Sequence, residues 1–223
     1  MSRIALMNGF AYLDQYAPSI RQNIRYATNY NFLGQPLKCY KPYTVLTFEC
    51  IHALQKAQLY AEKFGYDLIV YDGYRPKRAH LEFKQLLTIN KPELSLLYYP
   101  YLEQKDIWEY LPKLSEHATG SAVAVSLIRK NKALLHTPIW SYKTFGGRIM
   151  PYCNDGTVDM CTSFSLFDKA SSIFSTDVPS VFREKRLLLS NIMESAGFRP
   201  DPTAWWFFML EQVPFSQRFD FLY

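Results

Sequence analysis

The sequence contains no Cys-x-x-Cys pair. The spacing of its four cysteines, Cys39, Cys50, Cys153 and Cys161, excludes a zinc ribbon. They read as free buried thiols in a reducing compartment, with nothing to support a Cys153–Cys161 disulfide. Histidine is scarce: His52, His80, His117 and His136 form no His-Glu-x-x-His, His-x-His or His-x-x-Glu pair. There is no Gly-x-Ser-x-Gly, and Ser121 has no partner base that the sequence identifies. No apolar run approaches the roughly 20 residues of a membrane span, so no membrane is expected as a partner. Met1 to Tyr16 lacks a basic stretch followed by an apolar core, so no signal peptide is read and a cytoplasmic location is expected. No Lys/Arg cluster interleaves with aromatics, and a net charge of +5 is only mildly basic, so nucleic acid is not expected either. Repeats, low-complexity tracts and linkers are absent. The 223 residues therefore read as one domain, 1–223.

Aromatics, in contrast, are abundant, with 17 Tyr and 16 Phe. They imply an aromatic-rich core or, alternatively, an exposed aromatic surface for a protein partner. Residues 10–31 mix polar and apolar types without a period and read as a loop-rich start. The spacing of Cys50, Ala53, Leu54, Ala57, Tyr60, Ala61 and Phe64 predicts a helix over 49–64, closed by Gly65. Residues 66–71 read as a strand that ends in Asp72-Gly73-Tyr74-Arg75-Pro76. A second helix is expected from Lys77 to about Leu87. Residues 88–114 read as a long surface connection with short helical pieces, of the kind that often serves as a lid. Residues 122–128 read as a strand, and 131–155 as a run of turns. A helix is predicted over 183–196, and the aromatic run 204–210 reads as a buried strand.

On residue types alone, Asp72 and Arg75 form a turn-stabilising ion pair. The alternative is that Arg75 offers its fork to a carboxylate or a developing oxyanion, held in place by Asp72. A lone His117 is more often a hydrogen-bonded residue than a ligand, because a catalytic zinc needs three protein ligands and an open position. Asp155, Asp159, Asp168 and Glu211 are the carboxylates near expected strands. Cys161 would need a nearby histidine to act as a nucleophile.

Four motifs, taken together, resemble one family. Ser115-x-His117-x-x-Gly120-x-Ala122-x-Ala124 is similar to the S-x-H-x-x-G-x-A-x-D zinc loop of the D-alanyl-D-alanine dipeptidases of the vancomycin-resistance type. Asp72 to Pro76, with Ala79 and Phe83, resembles that family's D-G-Y-R-P-x-x-A-x-x-x-F. Asp159-Met160-x-Thr162-x-Phe164 resembles its D-M-G-T-x-F-D, with Cys161 in place of Gly and Ser165 in place of the final Asp. Arg186-Leu187-Leu188, Met193-Glu194 and Ala196-Gly197-Phe198 resemble the helix before its E-W-W-H-F, a stretch that falls on Ala204-Trp205-Trp206-Phe207-Phe208.

The resemblance implies an α+β domain of the hedgehog/D-Ala-D-Ala-peptidase fold, a central antiparallel sheet with helices to one side. It implies a zinc held by two His and one Asp, a Glu base and a transition-state Arg. Carried onto this chain, the Arg is Arg75 and the first His is His117. The Asp position is Ala124, the second His is Phe207, and the base is Ala204. His117 is then the one metal-ligand position still able to coordinate, and no cofactor is expected. Losing the base alone removes about 10²–10⁴-fold in rate. The reading is a catalytically inactive homologue whose cleft binds a small peptide, a D-amino-acid-containing ligand or another carboxylate through Arg75, Asp72, Tyr74, Ser115, Trp205 and Trp206. The alternatives are an interaction module with an unused cleft, an active dipeptidase with relocated ligands such as His136 or Asp159, and an unassigned chemistry through Cys161.

Overall fold

The computed structural model describes residues 3–89, 91–109, 112–135 and 137–223. The chain opens with β1 (Phe10–Tyr12), a single turn α1 (Leu13–Tyr16) and β2 (Arg21–Gln22). β3 (Val45–Thr47) pairs with β1 and leads into α2 (Phe48–Lys63). The Thr47 hydroxyl caps α2 by accepting from the Cys50 N–H at 3.3 Å, and Gly65 closes it at φ +78°. Next come β4 (Tyr66–Asp72), α3 (Ala79–Leu87), α4 (Pro92–Tyr98) and β5 (Ala122–Arg129). β6 (Ile139–Phe145), β7 (Arg148–Asn154), α5 (Ser180–Glu194), β8 (Phe198–Asp201) and β9 (Ala204–Leu210) complete the order.

The central sheet runs β2-β4-β5-β9-β8. It is antiparallel except at one edge, where the two residues of β2 lie parallel to β4. This is the expected α+β architecture. α2 and α5 pack on each other and against β4, β8 and β9, burying Cys50, Leu54, Ala57 and Ala61 from one helix and Leu189, Ile192 and Met193 from the other. Arg186 of α5 is buried, and among the described residues no carboxylate is in ion-pair contact with it. It donates instead to the carbonyls of Met160, Ala170 and Ser172 and to the Thr162 hydroxyl.

Three expectations need correction. Residues 139–154 form a hairpin, β6–β7, turned by Gly146 and Gly147, both at positive φ. Its outward side chains, Tyr142 and Ile149, are exposed, so the alternation that marks a half-buried strand is blurred. The segment 88–114 is not simply a surface connection. Tyr98, Tyr99 and Ile107 are buried, and the Phe167 N–H bonds the Tyr98 carbonyl. All four cysteines are free thiols, as expected, but Cys153 is half-buried rather than buried. Among the described residues, no helix is long and apolar enough to cross a membrane.

A second, smaller core joins Phe10, Tyr12, Val45 and Tyr74 to Phe219 and Tyr223. The last residues reach back to the loop after β4. Lys77 N–H donates to the Phe219 carbonyl, Phe219 N–H to the Ala118 carbonyl, and Arg78 pairs with Asp220.

Candidate functional site

β4 ends at Asp72, and the next residue must be glycine. A Cβ on Gly73 would sit 2.3 Å from Thr44 Oγ1 and 2.9 Å from its methyl group. This close approach lets Tyr74 N–H bond the Val45 carbonyl and Arg75 N–H bond the His117 carbonyl at 3.2 Å. The Arg75 and His117 loops are thereby tied together. Gly120 (φ +74°) closes the His117 loop against Phe10, where a Cβ would meet the ring at 2.2 Å.

Arg75 is 1% exposed and lies between the rings of Tyr26 and Phe83, at 4.8 and 4.9 Å from their centroids. Its Nε donates to the Tyr40 hydroxyl at 2.7 Å, and Nη2 pairs with Asp72. Nη1 is buried without a hydrogen-bond partner. Burial, the largest single influence, would lower the Arg75 pKa, but Asp72, Tyr40 and Tyr26 together outweigh it and hold the guanidinium above its ordinary value. Asp72 is fully engaged, since it also accepts from Tyr40 Oη at 2.9 Å and from the Gly73 N–H at 3.0 Å. The Asp72–Arg75 pair of the sequence reading is therefore present, and it is buried.

His117 Nδ1 lies 2.8 Å from the Gly73 carbonyl and 3.2 Å from that of Ala122. Two acceptors on one nitrogen place the proton there, and Nε2 carries the lone pair, 3.6 Å from Asp72 Oδ2. Burial pushes the imidazole down to about 4, with Asp72 opposing and Arg75 assisting, so His117 is neutral near pH 7. Its ring meets Phe207 edge-on at 5.3 Å. Ala124 pairs with Asp72 on one side and Phe207 on the other, so the three stand in one row across β4, β5 and β9.

These residues line a cavity of about 50 Å³ together with Tyr26, Ser165, Ala204 and Trp206. Two sequence-predicted binding residues point elsewhere. Tyr74 stacks on Phe221 at 4.4 Å, and its hydroxyl bonds the Phe221 backbone, because the C-terminal aromatics claim it. Trp205 donates from Nε1 to Thr162 and borders a separate, smaller cavity beside Arg25 and Asp155. The side chain of Ser115 and the whole of His136 lie outside the described residues. Asp155, Asp159 and Asp168 are paired with Arg25, Lys143 and Arg148, and none of them lines the cavity; nor does Glu211. Sequence reasoning missed Tyr40 and Tyr26. Tyr26 sits inside the Arg-Tyr-Ala-Thr run at 25–28, and that run was the available signal.

The site thus defines a class: an α+β domain with a buried Asp–Arg–His cluster at the ends of adjacent strands. The sequence matches the D-ala-D-ala dipeptidase family over residues 7–136 and 153–222, and the chain belongs to that family. It is 30% identical to a D-alanyl-D-alanine dipeptidase of Enterococcus faecium over 220 residues, covering 96% of this chain and 97% of the relative. It is 28% identical to that of Enterococcus faecalis, covering 95% and 96%. It is 24% identical to that of Escherichia coli, covering 88% and 81%.

The family is zinc-dependent, and the residues here do not fit that ion. At the positions where the resemblance places two of the three ligands, a methyl at 124 and a phenyl ring at 207 offer no lone pair. Among the described residues, no group of three or more His, Cys, Asp or Glu side chains converges.

Proposed function

We propose that this chain is a non-hydrolytic member of its family, a binding protein that keeps the cleft without the metal chemistry. The observation that carries this reading is the row Asp72–Ala124–Phe207. Where the resemblance places two zinc donors, apolar groups pack beside a neutral His117. Ala204 at the cavity wall replaces the general base. A metal supplies an activated water at neutral pH, and no described group lining the cavity would generate one in its place. The replacements suit one another, since an empty polar cage would be costly to bury. Relocated ligands find no support at Asp159, which is held by Lys143 away from the cavity. Cys161 is buried outside it, with its thiol pushed up to about 11 by burial.

What remains is a cavity with a fixed cation, suited to a small carboxylate-bearing ligand, dipeptides included. Two measurements test this. Metal analysis of protein purified without chelator, paired with a D-Ala-D-Ala release assay, is expected to give no stoichiometric zinc and no turnover. A thermal-shift panel of D-Ala-D-Ala, other dipeptides and simple carboxylates is expected to give at least one stabilising ligand. Stoichiometric zinc with turnover overturns the reading.

A further inference from the structure

Arg75 lines the cavity, and its Nη1 is buried with no hydrogen bond of its own, although the Tyr26 hydroxyl stands beside the same guanidinium. Two of its nitrogens are taken by Tyr40 and Asp72, while Nη1 is buried and without a partner. A buried, unpaired guanidinium N–H is costly, and a carboxylate oxygen is its natural complement.

Three features narrow what can bring that oxygen. The first is size. The cavity is small, about 50 Å³, and favours a small ligand. The second is polarity. Around Arg75 stand Ala124, Ala204, Phe164, Trp206 and Phe207, walls for an alkyl group. The third is charge. Among the described lining residues Asp72 is the one carboxylate, and it is already saturated by Arg75, Tyr40 and the Gly73 N–H. Position 165, where the family motif carries Asp, holds a Ser165 hydroxyl bonded to Tyr26. An ammonium group entering here would be desolvated with no free counter-charge.

We propose that the cavity binds a short monocarboxylate that lacks an amino group, with its carboxylate on Arg75 and its alkyl or hydroxyalkyl part against Ala124, Ala204 and Phe207. This rests on the non-hydrolytic reading above and narrows it, because the ammonium group of an amino acid or dipeptide finds no free counter-charge here.

The test is calorimetric titration of the full chain with propionate, D-lactate, D-alanine and D-Ala-D-Ala in a carboxylate-free buffer. Propionate or D-lactate is expected to bind at least about tenfold more tightly than either amino compound. Ala204→Leu fills the cavity without touching the Arg75 pair and is expected to abolish the signal while thermal unfolding stays cooperative. Ser165→Asp supplies the missing anion at a left-handed position (φ +60°) that Asp tolerates. It is expected to weaken propionate about tenfold and to raise the affinity for D-alanine. Equal or tighter binding of D-alanine or D-Ala-D-Ala by the unmodified chain overturns this inference and leaves the wider binding reading standing. Silence across all four ligands overturns both. Undiminished binding by Ala204→Leu places the ligand elsewhere and overturns the inference.

Discussion

Ala124 and Phe207 face each other in register across β5 and β9, with Asp72 completing the row on the far side of Ala124. The two positions where the resemblance places zinc donors are therefore nearest neighbours in the sheet. Restoring one alone should do harm. Ala124→Asp buries a second carboxylate beside Asp72, with Arg75 as the one nearby cation for both, and should cost stability on the order of 3 kcal/mol. The triple change Ala124→Asp, Phe207→His, Ala204→Glu should recover part of that loss when zinc is added. Metal content and zinc-dependent thermal unfolding check both outcomes. A triple variant that ignores zinc would mean the backbone has drifted from ligand geometry.

The Asp72–Arg75 pair yields a second prediction. Asp72→Asn leaves a buried guanidinium with no anion and should cost about 3–5 kcal/mol, read as a lower urea midpoint. Tyr40→Phe removes a hydroxyl bonded to both members and should cost less, about 1–2 kcal/mol.

A third concerns pH. The His117 imidazole falls from 6.5 to about 4 on folding. A group whose folded pKa is depressed is protonated first in the unfolded chain. Stability should therefore be full above about pH 6.5 and should decline as pH falls towards 4, by about 3 kcal/mol from this group. His80, also lowered by burial, acts in the same direction. His117→Asn keeps an N–H donor for the Gly73 carbonyl but does not titrate. Denaturant unfolding measured across pH should show a shallower slope for that variant. An unchanged slope would assign the acid loss to other groups.

A fourth tests the backbone contact that aims Arg75. Gly73→Ala drives a methyl into Thr44 and should cost about 1–3 kcal/mol. Gly73→Ala with Thr44→Ser removes the clashing Thr44 methyl and should recover part of it. Failure to recover would mean that the hydroxyl contact at 2.3 Å dominates.

Much of this site was legible because motif and element coincide. Asp72 to Pro76 falls at a strand end, and the helix over 49–64 carries a clean buried face within one residue of the observed α2. Tyr74 and Trp205 misled for a different reason. Neighbours of a functional residue along the chain point to different sides, and Tyr74 was claimed by aromatics almost 150 residues away. Tyr40 was invisible because no local period marks a tyrosine that serves a distant arginine. The β6–β7 hairpin was missed because part of its outer surface is apolar and exposed, so side-chain alternation does not report burial there.

The bonds from residues 219–223 to Tyr74, Lys77, Arg78 and Ala118 have a practical consequence. Deuterium uptake at the Phe219 and Phe221 amides reports on loops that carry Arg75 and His117, so a ligand settling in the cavity should slow exchange there. A probe attached to that last stretch can register occupancy without ever touching the bound molecule.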